Sequence, residues 1–212
     1  MATTLEPELA SLNAGSLNFA LFHIADKIKD EDYKLDWEKP YLESTEDFIF
    51  PNTFKTMRQY LEVFANTHTK PEFKIYDMGM INNLAFLIRK GIVKTPVYLQ
   101  FVLGILGGIP ATAENLVYLL DTSRRQIGDF VFSVCASGSA QFPLCTLSLM
   151  MGGNARVGLE DNLYLEKGIL AKNNAEQVAK IIRIAREFGI EPATPTEARE
   201  ILGLKGLDKV RF

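Results

Sequence analysis

A seven-residue segment, RVGLEDN from Arg156 to Asn162, combines residue types that could carry acid–base or metal chemistry. If the segment continues a β-strand, alternate side chains point to opposite faces, which places Arg156 and Glu160 on the same face. Asp161 then follows at the carboxyl end of the strand. Because charged groups on a strand between helices are costly to bury unpaired, the pattern indicates a functional site. A structural ion pair between Arg156 and Glu160 is the alternative that the residues leave open.

The elements that must position this segment are short apolar stretches, which alternate with amphipathic stretches from residue 70 onward. Such alternation is typical of parallel strands joined by crossover helices. We predict five strands, at Leu9–Asn13, Phe73–Asp77, Val97–Leu103, Phe130–Ala136 and Ala155–Leu159. We predict helices near Phe54–Thr67, Met80–Lys90, Ala113–Arg125, Ala140–Met151, Ala175–Phe188 and Pro195–Leu202.

Polar and apolar residues alternate along each predicted strand, so that each strand has one polar face, as at Lys74, Gln100 and Ser133. Strands of an open parallel sheet that helices cover on both sides are apolar on both faces. A polar face therefore favours the lumen of a (β/α)8 barrel, where polar residues at the carboxyl ends of strands usually belong to the active site. A solvated antiparallel sheet is the alternative, which the intervening helices disfavour.

The composition excludes several classes of function. With 212 residues, 47% of them hydrophobic, and a net charge of −3, the chain can form one core, and it lacks the basic clusters typical of nucleic-acid binding. No apolar run approaches the 18 or so residues of a membrane span, so we expect a cytoplasmic protein with no membrane partner. Cys135 and Cys145 have no companion ligands at metal-binding spacing, and we predict buried free thiols.

The predicted fold class is therefore α/β, with parallel strands and flanking helices in one domain over residues 1–212. A long loop insertion at about 26–52 interrupts this pattern, and it is charged and has aromatic residues that include Trp37, Tyr41, Phe48 and Phe50. Connections of this length within a compact domain are usually functional. The aromatic residues could cover the mouth of a barrel or pack on a neighbouring subunit, and the sequence leaves both alternatives open.

Five motifs carry a family resemblance. They are SLNAGSLNF (Ser11–Phe19), IYDMGMINN (Ile75–Asn83), QFVLGILGGIPAT (Gln100–Thr112), GGNARVGLEDNLY (Gly152–Tyr164) and ATPTEAREILGL (Ala193–Leu204). Together they resemble the β-keto acid cleavage enzymes, the family that includes 3-keto-5-aminohexanoate cleavage enzyme. The resemblance implies a zinc-dependent (β/α)8 barrel in which a β-keto acid and acetyl-CoA, the co-substrate, give acetoacetate and a new acyl-CoA.

The resemblance also implies roles for the charged segment. Glu160 resembles the family's carboxylate ligand for Zn2+, and Asp161 resembles the base that acts on the acetyl-CoA methyl group. Arg156 resembles the arginine that holds this aspartate, and an adjacent guanidinium is expected to lower the pKa of the carboxyl group. A zinc ion bound by this carboxylate and by imidazoles would stabilise the negative charge that develops on the ketone oxygen of the substrate.

Two further groups of residues resemble substrate-binding positions. Asn13 and Ser16, at the end of the first strand, look like polar positions that face the substrate. Gly107, Gly108 and Thr112 resemble a loop whose backbone N–H groups at a helix start could receive anionic groups of CoA or of the substrate. A plain turn is the alternative for this glycine-rich loop.

The five predicted strands match only strands 4–8 of the family's eight, so we expect a partial (β/α)8 TIM barrel, the carboxyl-terminal five-eighths of the family's fold. The family's two zinc-binding histidines stand on an earlier His-x-His strand, and His23 and His68, which lie outside the predicted strands, do not replace them. We therefore expect an incomplete Zn2+ site and a truncated chain that is inactive alone.

A second departure from the family lies in CASGSAQFP, from Cys135 to Pro143, where the family has an arginine and this chain has Ser139 and Ala140. If that arginine contacts a carboxylate or a phosphate, its loss removes a charge-assisted hydrogen bond worth about 1.5–3 kcal/mol. We therefore expect weaker binding of anionic substrates than the resemblance alone would imply.

An open barrel leaves the edges of its first and last strands unpaired, so we expect a homo- or hetero-oligomer formed through these edges. If the missing part is supplied, the substrates would be a small β-keto acid and a CoA thioester. The alternative is a non-catalytic remnant or interaction module that docks on a full-length paralogue or on a separate amino-terminal half. An unrelated barrel lyase or aldolase is a third interpretation.

Overall fold

A parallel five-stranded sheet organises the protein, whose computed structural model describes residues 2–211. This observation confirms the predicted α/β class and the five parallel strands. Across the sheet the strand order is β1, β4, β5, β6 and β7. In chain order the strands are β1 (Leu9–Asn13), β2 (Leu17–Asn18), β3 (Ile49–Phe50), β4 (Lys70–Ile75), β5 (Val97–Leu103), β6 (Phe130–Ala136), β7 (Asn154–Ala155), β8 (Tyr164–Glu166) and β9 (Ile169–Leu170).

Nine α-helices surround or extend this sheet in the described part of the chain, and none is long and apolar enough to cross a membrane. In chain order they are α1 (Ala2–Leu5), α2 (Phe22–Ala25), α3 (Glu38–Ser44), α4 (Phe54–Asn66), α5 (Met78–Arg89), α6 (Ala113–Gln126), α7 (Gln141–Met150), α8 (Asn174–Glu187) and α9 (Pro195–Leu202). The six predicted helices are thus present, as α4 to α9, with bounds that match for α9 and differ by at most two residues for the others.

Side-chain caps fix where several helices begin. The carboxylate of Asp77 accepts a hydrogen bond from the Met80 N–H, so that α5 starts two residues earlier than predicted. Asn173 caps α8 in the same way. Thr194 and Glu197 form the reciprocal capping box that the sequence predicted, which satisfies backbone donors at the start of α9.

The core lies on the helix-covered face of the sheet. Phe73, Leu99, Phe101 and Val134 are fully buried there, against the apolar stripes of the helices. Burial of one such side chain stabilises the fold by about 1.5–3 kcal/mol. Because side chains alternate along a strand, the residues between them point to the other face, which is the polar face that the sequence predicted.

The last strand is much shorter than predicted. We expected Ala155–Leu159, but the ladder with β6 ends at Ala155 apart from one further bond, from the Arg156 N–H to the Val134 carbonyl. The chain then turns, since the Gly158 carbonyl accepts hydrogen bonds from the N–H groups of Asp161 and Asn162. Arg156 and Glu160 are therefore not alternate residues of one regular strand.

The segment at about 26–52 is not a structureless loop. It contains α3, two short 3-10 helices and β3, which pairs with β2 in an antiparallel ribbon. Its aromatic side chains are largely exposed, with Trp37 at 61% and Tyr41 at 51% of full exposure. Trp37 and Tyr41 pack edge to face on each other, with ring centroids 6.2 Å apart. This contact does not distinguish covering of a barrel mouth from packing on a neighbouring subunit. The predicted domain bounds include Met1 and Phe212, which lie outside the described residues.

Candidate functional site

A hydrogen-bonded cluster occupies the polar face of the sheet, and its centre is the amide of Gln100. This side chain is only 3% exposed. Its Oε1 accepts hydrogen bonds from Lys74 Nζ at 2.7 Å and from Arg156 Nη1 at 3.1 Å, while its Nε2 donates to Glu72 Oε1 and to Ser133 Oγ. Two cations therefore donate to one amide oxygen, and both lone pairs of this oxygen accept a hydrogen bond.

Strand register explains why these residues meet. Lys74 lies opposite Gln100, Gln100 lies opposite Ser133, and Ser133 lies opposite Asn154, so the row crosses four adjacent strands at one level. Arg156 follows two residues beyond this row. The polar residues of separate strands thus form one surface, as expected where parallel strands end near a site.

Arg156 connects this surface to the two carboxylates of the charged segment. Its guanidinium forms an ion pair with Glu160, and its Nη2 lies 3.4 Å from Asp161 Oδ2. The environments of the two carboxylates differ, because the Glu160 side chain is 80% exposed and that of Asp161 only 9%. The exposed pair contributes little to stability, whereas the enclosed carboxylate is electrostatically sensitive.

Burial raises the pKa of the Asp161 carboxyl group above its ordinary value, and the charge of Glu160 adds to this effect. The charges of Arg156 and Lys74 oppose it without cancelling it. We expected Arg156 to leave the pKa of Asp161 lowered, and this expectation is wrong because desolvation is the larger contribution. Asp161 Oδ2 is buried and accepts no hydrogen bond from the described residues. A carboxylate in this state is a stronger base than one in water.

A chain of buried amides holds the segment that carries Asp161. Gln141 Oε1 accepts a hydrogen bond from the Gly158 N–H at 3.1 Å, and Gln141 Nε2 donates to Gln177 Oε1 at 2.7 Å. Gln177 Nε2 in turn donates to the Asn162 carbonyl. Both glutamines have no exposed surface. The first residue of α7 and the first turn of α8 therefore position the charged turn.

Asn13 and Ser16, predicted to face the substrate, both contact the segment at 26–52. The Asn13 carbonyl accepts a hydrogen bond from Asn52 Nδ2, and Ser16 Oγ accepts one from the Asn52 N–H at 2.8 Å. Asn52 is buried by these contacts. The structure thus gives both residues a role in anchoring the segment, and their substrate contacts stay a prediction.

The glycine-rich loop after β5 packs closely on other backbone. Gly107 has a φ of +103°, and a Cβ there would overlap the Asn18 carbonyl oxygen. A Cβ at Gly108 would lie 2.9 Å from the Tyr76 carbonyl oxygen. Thr112 Oγ1 accepts a hydrogen bond from the Asn115 N–H and caps α6. These contacts match the plain-turn alternative, while the predicted binding of CoA or substrate anions stays a prediction.

The residues present do not fit a zinc site by themselves. Among residues 2–211, no three His, Cys, Asp or Glu side chains cluster so as to hold a metal ion. Glu160, the expected ligand, is turned towards Arg156. His23 lies in α2, and His68 follows the end of α4. Ser139 stands in a 3-10 turn directly after β6, so the position expected to hold an arginine has no positive charge.

Sequence reasoning missed the residues that join the site together. Lys74 and Gln100 were recognised as members of a polar face, but their direct contact depends on the register of two strands. The alternation pattern on neighbouring strands was the signal that could have identified them. No comparable signal marks Gln141 and Gln177, because polar residues are ordinary on helix surfaces and their pairing spans 36 positions of the chain.

Solved structures of a protein named ObcA share this fold. Its apo structure matches with a TM-score of 0.69 and 18% identity, over 93% of this chain and 44% of that chain. A complex of ObcA with oxaloacetate matches with a TM-score of 0.65 and 17% identity. At such low identity the similarity concerns the fold alone.

Sequence comparisons extend the similarity to a family. The chain is 41% identical to 3,5-dioxohexanoate:acetyl-CoA acetone transferase of Paraburkholderia graminis, over 98% of this chain and 66% of the relative. It is 38% identical to 3-keto-5-aminohexanoate cleavage enzyme of Acetoanaerobium sticklandii, over 94% of this chain and 63% of the relative. The chain thus spans slightly less than two thirds of these relatives. A family model described as beta-keto acid cleavage enzyme matches residues 1–204, and the chain belongs to this family.

Proposed function

We propose that this chain provides the base and the cationic surface of a β-keto acid cleavage site that uses acetyl-CoA as co-substrate. The names of the two relatives describe an acetyl-CoA transferase and a cleavage enzyme for a β-keto acid, which supports this reaction class. The observation that carries the proposal is the buried carboxylate of Asp161, whose Oδ2 accepts no hydrogen bond from the described residues and lies 3.4 Å from Arg156 Nη2. A non-catalytic interaction module is not favoured by the comparisons.

The carbon balance of the reaction identifies the proton that Asp161 would remove. Once deprotonated, the carbon between the ketone and the carboxylate of the β-keto acid attacks the acetyl carbonyl of acetyl-CoA, and the CoA thiolate leaves. The thiolate then adds to the original ketone carbon, and the bond between this carbon and the attacking carbon breaks. The products are an acyl-CoA and acetoacetate, whose carbon takes the proton back. Attack by the acetyl-CoA methyl carbon would instead give acetate and a 3-ketoacyl-CoA. We therefore assign Asp161 to the carbon of the keto acid, and not to the acetyl-CoA methyl group as we first expected. That carbon is also the more acidic one, because two carbonyl groups flank it.

The neighbouring cations suit the charge that develops in this step. Arg156 and Lys74 both approach the Gln100 amide, and both act on the Asp161 carboxylate through their charges. An enolate formed beside Asp161 would be stabilised by these two preorganised cations. Removal of the proton by a positioned base contributes about 100- to 10,000-fold to such reactions.

Zinc dependence and the partial barrel belong to the same proposal. Since the donor set among residues 2–211 does not hold a metal ion by itself, we expect the isolated chain to form no acetoacetate. Strands β1 and β7 are the edges of the described sheet, so that a further segment or a second subunit could pair there. We propose a single partial (β/α)8 domain that completes its site through such pairing, in a homo- or hetero-oligomer.

Proton exchange tests the assigned role of Asp161 without requiring acyl transfer. The chain is incubated in D2O with acetoacetate, and NMR follows deuterium incorporation at the carbon between the two carbonyl groups. We expect exchange at least about tenfold above the protein-free rate, and its loss in Asp161→Asn. The matched control, Asp121→Asn, removes a carboxylate on α6 that is 56% exposed, and should exchange like the wild type.

Exchange that is equally fast in Asp161→Asn would contradict the assignment of the base. Addition of acetyl-CoA then tests the second expectation, because acetoacetate formation from a longer β-keto acid by the chain alone would contradict the predicted inactivity. The two results are independent, since exchange requires only the base and the cations.

A further inference from the structure

A cavity lies at the end of the sheet opposite the candidate site. It has a volume of about 710 Å³ and is lined by the starts of β4 and β5, the end of α4, the loop before β5 and the residues after α9. Lys70 and Val97, which begin their strands, both line it. Arg156 and Asp161 follow the carboxyl end of β7, so this cavity is separate from the candidate site.

The rim of the cavity is cationic. Three lysines line it, Lys70, Lys94 and Lys205, together with His68, and none of its lining residues is an aspartate or glutamate. Lys205 is oriented by a hydrogen bond from its Nζ to the Thr67 carbonyl at 2.7 Å. Lys70 Nζ lies close to the turn at Gly203, since a Cβ built on that glycine would be in van der Waals contact with it at 3.9 Å.

The ammonium group of Lys70 is partly withdrawn from solvent. It is half-buried, its ammonium forms no ion pair with the residues that the structure describes, and burial lowers its pKa. A desolvated cation without a counter-charge is unfavourable, and a bound anion relieves this cost. The lining therefore favours a ligand that carries more than one negative charge.

The floor of the cavity is apolar. Leu61, Phe64 and Val93 line it with side chains that are more than nine-tenths buried, and Ile92 contributes one that is 40% exposed. A small inorganic anion would leave this surface uncovered. The volume lies within the range of about 300–1,000 Å³ typical of pockets for organic ligands.

We propose that this cavity binds an adenosine phosphate, with its phosphates at the three lysines and its base on the apolar floor. Lysines bind phosphates as point charges, so several ammonium groups around one opening suit a diphosphate better than a single carboxylate. The planar base would cover Phe64 and Ile92. This site is independent of the proposed reaction, because its residues lie at the other end of the sheet.

Calorimetric titration of the full chain with ADP tests the proposal. We expect saturable binding, weakened about tenfold by Lys70→Met and by Lys205→Met, as for loss of one charge-assisted contact. Lys55→Met is the matched control, since this exposed lysine of α4 does not line the cavity, and its affinity should equal that of the wild type. Coenzyme A, titrated separately, tests whether the cavity takes the adenosine phosphate moiety of the coenzyme or a free nucleotide. Binding of either ligand supports the site only where Lys70→Met and Lys205→Met weaken it.

Amide chemical shifts of the wild-type chain provide a readout that does not depend on variants. Addition of ADP should move the signals of Val93, Lys94 and Gly203, and leave that of Gly158 unchanged. Failure of both ADP and coenzyme A to bind at millimolar concentration would overturn the proposal. Equal ADP affinity in Lys70→Met, Lys205→Met and Lys55→Met would overturn the assigned location. Pyrophosphate that binds as tightly as ADP would overturn the role of the apolar floor.

Discussion

The centre of the sheet and the charged turn after β7 are stabilised in different ways. β5 and β6 pair along seven residues, and Phe101 of β5 is fully buried. β6 and β7 pair along only two residues, after which side-chain amides hold the chain. The scaffold therefore depends on apolar burial and backbone ladders, whereas the candidate site depends on a few buried hydrogen bonds. This difference allows the site to be perturbed without unfolding of the scaffold.

Phe101→Ala should have the largest effect on stability, because it removes a fully buried ring from the centre of the sheet. We expect a loss of about 3–5 kcal/mol in the free energy of unfolding, measured by denaturant titration. Phe86→Ala, at a ring on α5 that is 41% exposed, is the matched control and should cost much less. Equal losses in the two variants would contradict the assigned core.

Gln141→Leu should disturb the turn more than the scaffold. It leaves the buried Gly158 N–H and the Gln177 amide without their partners, at a cost of about 1–3 kcal/mol. We expect faster hydrogen exchange at the Gly158 amide, with unchanged exchange in β5. Gln59→Leu changes an exposed glutamine of α4 and should leave both rates as in the wild type. Unchanged exchange at Gly158 in the Gln141 variant would show that another contact positions the turn.

Asp161→Asn should stabilise the protein slightly at neutral pH. Because burial raises the folded-state pKa of Asp161 above its unfolded value, stability falls as the pH rises through the interval between the two values. At neutral pH the ionised carboxylate therefore costs stability, and an amide removes this cost. Below the unfolded pKa of about 3.9 the wild type and the variant should converge.

Thermal unfolding at several pH values measures this effect. Asp121→Asn should lack the gain, since its carboxylate is 56% exposed. A lower melting temperature for Asp161→Asn at neutral pH would mean that the ion pair with Arg156 outweighs desolvation.

The smallest expected difference between the two regions is in the reactivity of the two cysteine thiols. Burial raises the pKa of each thiol to about 12, so neither should react with a thiol reagent at pH 8 before the protein opens. Cys145 Sγ contacts the Arg156 carbonyl next to the turn, while Cys135 lies within β6. We expect Cys145 to react faster, because the turn opens locally. Comparison of the Cys135→Ala and Cys145→Ala variants assigns each rate, and equal rates would contradict local opening.

Much of the scaffold was predictable from local pattern. The bounds of β5 and β6 match the sequence prediction, because each is an apolar run of one strand's length between turn residues. The prediction failed at β7, where the alternation in Ala155–Leu159 continues although the backbone finds few partners. The shape of the segment at 26–52 was also missed, since its two-residue β-ribbon depends on pairing with Leu17–Asn18.

The candidate site was predictable in composition but not in geometry. Arg156, Glu160 and Asp161 were identified as a group, and the structure brings all three together. The sequence could not predict that Asp161 is enclosed while Glu160 faces solvent, because this depends on where the turn begins. It also could not predict the bond between Lys74 and Gln100, which strand register alone creates.

A carbon-detected NMR titration of the aspartate carboxyl groups tests the central claim most directly. The claim is that Asp161 is a buried base whose pKa desolvation raises despite two nearby cations. We predict that its carboxyl signal titrates above the ordinary aspartate value of about 3.9, and that Arg156→Met raises the Asp161 pKa further. A pKa for Asp161 at or below this ordinary value would contradict the claim and would favour a structural ion pair in this turn.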